Sequence, residues 1–468
     1  MTTYSSNRLK CLSMNLFDMF YIYTRERALK RLLKISFLSA VTVVALLGTF
    51  GVGFAQEKRS LNLDVLLEEL VNTHDRIKSS EAQLQAIQHR YKSAKGGWYP
   101  KLDATLEGGR ENISKPGQSE TQMDRNEQTL SATQLLYDFG GVSGTIDSAA
   151  GQVSEYEALL LQTKQEMVAL GITAYLRVIR SRELVKYAFR SEDSMKELSG
   201  MQEVLVQRGA GYSYEELQVK GQLAGAQAYR VTMQREQQIA VNNFNSVFGF
   251  QLNPDEISKM ATVPVPRKHM PANLEEAIAT AFETNAMLVE TKHTIERLQG
   301  DLRAQESTYY PQFDAVLEGE RKENDQASPG VRTEQRATVQ MTYNIFSGFQ
   351  DTENIRAVKS DMTGARRTLL DRRRTVEESV RNAWLQLTTL RENSELLENQ
   401  ANITWEFLGL VKKKKATGEE VRLLDILVGE RDYITAISAK IATDIDIIIA
   451  GYTLLYEMGL ITEDITEI

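Results

Sequence analysis

Cysteine occurs once in this 468-residue sequence, at Cys11, and proline only eight times. One cysteine excludes an internal disulfide framework and a cysteine-based metal site, and its place ahead of the first apolar run excludes lipid acylation there. So few prolines leave long stretches in which a helix meets no interruption. Positive charge is also short: 55 Lys and Arg face 63 Asp and Glu, a formal charge of −8. No basic stripe with interleaved aromatics appears, so nucleic acid is not an expected partner. The four histidines, His74, His89, His269 and His293, show no metal-ligand spacing. Neither a metal, a cofactor nor an enzymatic site is expected.

What the N-terminus does have is the order of a secretory signal: Arg25, Arg27, Lys30, Arg31 and Lys34, the apolar run Ile35 to Gly48, then Gly53-Phe54-Ala55. Residues 1–55 are read as a signal peptide; retention of Ile35 to Ala55 as a membrane anchor is the alternative. These residues hold seven Lys/Arg and two Asp/Glu, so the remainder carries 48 basic against 61 acidic side chains, a charge of −13.

The rest repeats itself. GGWYPKLDATLEGGR, ending at Arg110, matches STYYPQFDAVLEGER, ending at Arg321, at a spacing of 211. After a two-residue slip, Ala174-Tyr175-Leu176 matches Ala383-Trp384-Leu385 and Gly209 matches Gly418 at a spacing of 209. The reading is therefore repeat 1 over 56–253, a proline-rich linker over 254–271, repeat 2 over 272–460 and a tail over 461–468.

Within each repeat the period changes from helix to strand and back. Lys101 to Arg110 and Arg336 to Phe346 alternate between apolar and polar, and Gln128 to Tyr137 and Gln312 to Glu320 do so more weakly. Lys115-Pro116-Gly117 and Ser328-Pro329-Gly330 supply turn residues between them, so two β-hairpins are expected, over about 101–137 and 312–346. Eight aromatics, Trp98, Tyr99, Tyr137, Phe139, Tyr309, Tyr310, Phe346 and Phe349, fall where strand meets helix, as a membrane girdle does. The proline-free segments Leu61 to Lys95, Ser143 to Gln207, Tyr214 to Phe248, Leu274 to Thr308, Asp351 to Thr417 and Leu423 to Met458 read as helices. A helix over Ser143 to Gln207 would be about 100 Å long and needs coiled-coil-like packing.

A ten-residue alternating strand crosses a bilayer, and a sheet in lipid must close on itself. Four strands are too few to close, so several chains must share one barrel, and three would give 12 strands. Signal, strands and girdle together place that barrel in a bacterial outer membrane, its lipid on the apolar face and its helices in the periplasm. A wholly periplasmic coiled-coil scaffold or adaptor without a barrel is the alternative; it has no use for alternating strands.

The order of helix, hairpin, long helix and returning helix, with YP-x-[LF]-DA-x-LEG and LYDFGG in place, resembles the TolC family of outer membrane efflux proteins over about residues 61–460. The resemblance implies a mostly α fold with a membrane β-barrel part: a homotrimer with a 12-stranded barrel and a periplasmic α-helical tunnel. It also implies an exit duct of an efflux or type I secretion system, joined to a periplasmic adaptor and an inner-membrane transporter. Family members turn their helical hairpins at the periplasmic tip around a glycine followed by an acid, which here match Gly209 with Glu216 and Gly418 with Asp425. The family's best known member closes the second turn with a tyrosine, an arginine and two aspartates; here Asp425 matches the first aspartate, Arg422 stands one position from the arginine, and the second aspartate and the tyrosine fall on Val428 and Lys414. Gly209, Glu216, Gly418, Arg422 and Asp425 are thus the candidate tip and gate residues.

Edman sequencing of the exported protein is expected to start near Gln56; a first residue at or before Arg25 would overturn the signal reading.

Overall fold

Four of the six proline-free segments become single helices of about the expected length. The computed structural model describes residues 61–114, 116–117, 120–266, 269–419 and 421–463. The signal segment 1–55 with Cys11, the turn residue Lys115 and most of the 461–468 tail lie outside them. The order is α1 (Leu63–Thr73), α2 (Asp75–Lys95), β1 (Lys101–Ile113), β2 (Thr121–Tyr137), α3 (Gly141–Gln207), α4 (Ser213–Phe248) and the short α5 (Pro254–Ile257). It continues with α6 (Leu274–Thr284), α7 (Ala286–Glu306), β3 (Gln312–Glu323), β4 (Val331–Thr342), α8 (Gln350–Ala416) and α9 (Leu423–Glu457). The chain is mostly helical with one small antiparallel sheet, and the same order of elements occurs twice.

Three expectations need correction. Leu61 to Lys95 and Leu274 to Thr308 are not single helices: the backbone turns extended at His74 (ψ 130°) and Asn285 (ψ 120°). At each break a side chain caps the next helix, His74 Nδ1 accepting from the Arg76 N–H at 3.1 Å and Asn285 Oδ1 from that of Met287 at 3.1 Å. The fourth strand ends at Thr342 rather than Phe346. There Asn344 Oδ1 accepts the Phe346 N–H at 3.2 Å, and the positive φ of Gly348 (66°) and Phe349 (67°) turns the chain into α8.

All four strands form one sheet in the order β1-β2-β3-β4, each pair antiparallel. β2 lies beside β3, so the two hairpins share a ladder, with a bulge between Leu135 and Tyr137. β1 and β4 are its edges.

α3 organises the helices. It lies against α4 and α9 in one half of its length and against α2 and α7 in the other, and α8 borders α9 and α7 in the same way. Near the sheet, α3 and α7 touch backbone to backbone through glycine. A Cβ on Gly144 would stand 2.4 Å from the Ala304 nitrogen, and one on Gly300 2.3 Å from the Ser148 nitrogen. Arg297 adds an ion pair across the contact, to Glu155 at 3.1 Å.

The largest apolar cluster lies at mid-length, where α1, α3, α4, α9 and the linker after α5 meet. Leu66, Leu67, Ile172, Tyr175 and Phe244 are fully buried in it. The Tyr175 hydroxyl donates to the Ala261 carbonyl at 2.9 Å, and Arg182 donates to the carbonyls of Ile257 and Met260 at 3.0 and 2.8 Å. The buried backbone of the linker is thereby satisfied from α3. Tyr452 of α9 sits in the same cluster, where burial pushes its hydroxyl up to about 12. A second cluster joins α6, α7, α8 and α9, and a third, around Val219, Leu408 and Ile426, lies near the far ends of the long helices.

Gly300→Ala should destabilise the protein by about 1–3 kcal/mol, because backbone rather than a flexible side chain stands in the way. Gly364→Ala on α8, where nothing lies within 4 Å, should be neutral or stabilising by up to about 1 kcal/mol. Thermal unfolding in detergent, followed by circular dichroism, checks the pair; equal effects would overturn the close-approach account.

Candidate functional site

The sheet has two chemically different faces, and the register assigns each residue to one of them. Val339 pairs with Ala315, Met341 with Phe313 and Ala337 with Leu317. Leu317 pairs in turn with Ala132, which pairs with Leu102. Side chains opposite one another share a face, so these form one apolar surface. Val339, Leu102 and Leu106 stand 71%, 72% and 78% exposed in the single chain. The other face is charged: Lys322 reaches Glu320 at 2.6 Å and Glu127 at 3.4 Å, and Arg125 reaches Asp325 at 3.1 Å. Among the described residues no helix is long and apolar enough to cross a membrane.

All eight aromatics read as a girdle are exposed and lie where the sheet meets the helices. Phe139 stacks on Tyr310 at 4.9 Å and meets Tyr137 edge-on at 4.7 Å; Phe346 meets Phe349 edge-on at 5.4 Å. Phe139 and Phe349 also take positive φ, 55° and 67°, at the corners leading into α3 and α8. The first corner is held by Asp138, whose carboxylate accepts the N–H groups of Gly140 at 3.2 Å and Val142 at 2.5 Å.

At the opposite ends of the long helices, both reversals use the same motif. Gly209 has φ 72° and Gly418 φ 81°, a region closed to most side chains. The N–H of Gly209 donates to the Val206 carbonyl at 3.0 Å and that of Ala210 to Leu205 at 2.9 Å. Gly418 and Glu419 repeat this with Lys415 and Lys414 at 3.3 and 3.2 Å, so each helix ends in a Schellman motif. The turns are tight enough that the return helices begin at Ser213 and Leu423.

The acids are placed differently in the two turns. Asp425 accepts from Arg422 Nε at 3.2 Å and from its terminal nitrogen at 3.0 Å, a two-point contact within one chain. Glu216 is held instead by Lys220 at 2.6 Å, and that carboxylate raises the Lys220 ammonium above its ordinary range. Lys414 lies 3.7 Å from Glu419. Among the described residues, Glu216 and Asp425 therefore neither meet each other nor share a cation.

Sequence reasoning missed Lys220, although a Glu followed four residues later by Lys on a helix signals the pair. It also missed two buried acids higher up. Glu192 is clamped by Lys196 at 2.9 Å and by Arg230, and Glu430 by Lys412 and by Ser194 Oγ at 2.9 Å. Arg230 and Ser194 come from other helices, so only the packed structure shows them. A groove of about 990 Å³ lies between α3, α4 and α9, with Arg177, Arg180, Arg431 and Asp446 on its walls. Burial raises the Asp446 carboxyl, against the pull of Arg180 and Arg177. No three His, Cys, Asp or Glu side chains among the described residues are grouped to hold a metal ion.

The model of the outer membrane efflux protein family matches residues 66–249 and 277–436. The outer membrane efflux protein BepC of Brucella suis is 21% identical over 455 residues, covering 94% of this chain and 93% of that protein. A membrane protein from Pseudomonas aeruginosa shares the fold at a TM-score of 0.74 with 18% identity, covering 85% of this chain and 93% of that one. The Campylobacter jejuni CmeC outer membrane channel does so at 0.73 with 12% identity, covering 85% of each.

Val339→Arg, on the apolar face, should weaken assembly in the membrane by about 2–4 kcal/mol at mid-bilayer depth, and Gln340→Arg, on the charged face, by much less. Yield of folded protein in the outer membrane fraction separates them; equal defects would mean that the two faces do not meet different surroundings.

Proposed function

The chain belongs to the outer membrane efflux protein family and acts as an efflux channel of the outer membrane, and on that premise we propose that three copies build the conduit. Each contributes four strands to one 12-stranded barrel and four long helices to a periplasmic tunnel. The observation that carries the reading is the sheet itself, apolar on one face, charged on the other and unpaired at β1 and β4. In lipid those edge groups have no water to bind, so they require strands from further copies. The charged face would line the pore and the aromatic girdle would sit at the periplasmic rim of the membrane.

The tunnel would receive its cargo from a periplasmic adaptor and an inner-membrane transporter, since the barrel has no energy source of its own. A wholly periplasmic scaffold, the rival reading, does not accord with membership of an outer membrane family.

The tips would be the gate. Three copies of Gly209 and Gly418 would surround the axis, and Arg422 would shield Asp425 from the like charges gathered there. An exposed pair of this kind contributes little alone, about 0–1 kcal/mol. Summed over three copies, it is a barrier that binding of an adaptor can offset.

In planar bilayers the wild type should form a heat-modifiable trimer of low conductance. Asp425→Ala and Arg422→Ala should each raise that conductance several-fold, with the effect shrinking at high salt. Unchanged conductance in both variants would remove the pair from the gate, and recovery of the wild type only as a soluble monomer would overturn the channel assembly.

A further inference from the structure

Two apolar rows on the helices remain uncovered. In the half that ends at the tips, the helices run α4, α3, α9, α8, so α4 and α8 are the open borders. On α8, Leu396, Ile403 and Leu410 recur every seven residues and are 63%, 59% and 63% exposed. On α4, Leu217, Ala224 and Val231 recur at the same interval, with Leu217 and Val231 70% and 56% exposed. An apolar residue every seventh position is the seam of a coiled-coil contact.

The duplication supplies the register of the missing contact. At the spacing of 209, α3 corresponds to α8 and α4 to α9. Within the chain, α3 and α9 are antiparallel neighbours, joined by Ser194 Oγ donating to Glu430 at 2.9 Å and by Arg180 beside Asp446 at 3.3 Å. Carried across by that spacing, the first contact falls on Ile403 and Gly221, and the second on Thr389 and Gln237. Along an antiparallel pair this brings Leu410 to the turn of Leu217, and Leu396 to that of Val231.

The charges agree with this register. Glu392 and Glu406 are exposed and form no ion pair among the described residues. Their counterparts within one turn are Arg235, paired with its neighbour Glu236, and Lys220, paired with Glu216. Opposite charges thus face each other on both turns.

We propose that α8 of one copy packs antiparallel on α4 of a second copy of this chain, with Ile403 beside Gly221 and Arg235 opposite Glu392. The contact is heterologous, the kind that closes into a ring when the rotation between copies is a whole fraction of a turn, as three copies require. It rests on the three-copy reading and adds to it a register and the side chains that select that register.

The test uses the full chain in native membranes, with Cys11→Ser so that introduced cysteines report alone. Gly221→Cys with Ile403→Cys should give oxidised inter-chain trimers at least tenfold more readily than Gly221→Cys with Leu410→Cys, whose sites would lie a further ~10 Å apart, beyond disulfide reach. Arg235→Glu should lower the temperature at which trimers dissociate on gels, and adding Glu392→Arg should restore it. Intact trimers cross-linked better by the Leu410 pair, or no rescue by the charge swap, would overturn the register while leaving the three-copy assembly standing. Absence of any species heavier than a monomer by native mass measurement would overturn both.

Discussion

A β-sheet in lipid has nowhere to leave an unpaired backbone group, and much of the chain's architecture follows from that constraint. The sheet is four strands wide, with two open edges and two faces of opposite chemistry, of which the apolar one is exposed. In water such edges invite aggregation along β1 and β4, and in a membrane they call for further strands to pair with. The exposed leucines and Val339, anomalous on a soluble protein, become ordinary once lipid is the solvent.

The helices solve a different problem, that of holding a 67-residue rod. No such helix is stable from local propensity alone, so α3 and α8 are supported by shorter helices at every level. The kind of support changes along the rod. Near the sheet it is backbone contact at Gly144 and Gly300; at mid-length it is an apolar cluster that also anchors the linker. Toward the tip the packing thins to a smaller apolar cluster and to ion pairs such as that of the buried Glu192 with Arg230.

The tips divide the labour between backbone and side chain. Gly209 and Gly418 make the reversal itself, by the same pair of hydrogen bonds in each repeat. The acids that follow them have diverged, one held by a lysine four residues on and the other by an arginine three residues back. Two copies of one ancestral turn keep the feature that backbone sterics demand and vary the one they do not.

Much was legible in the sequence because it depends on local periodicity. Strand alternation in Lys101 to Arg110, the helical segments, the duplicated YP segments and the two turn glycines each express a backbone requirement at a fixed spacing. The same locality explains the failures. The breaks at His74 and Asn285 lie inside good helical pattern, and the end of β4 at Thr342 is set by a turn whose side-chain hydrogen bond leaves no periodic trace. Only the tertiary structure decided that β2 lies beside β3, that Gly300 meets Ser148, and which cation holds Glu192 or Glu430, since these join residues far apart in the chain. The sequence by itself determined the kinds of element, their order and their duplication. Which surfaces meet depends on shape and distance between elements, and pattern along one chain carries neither.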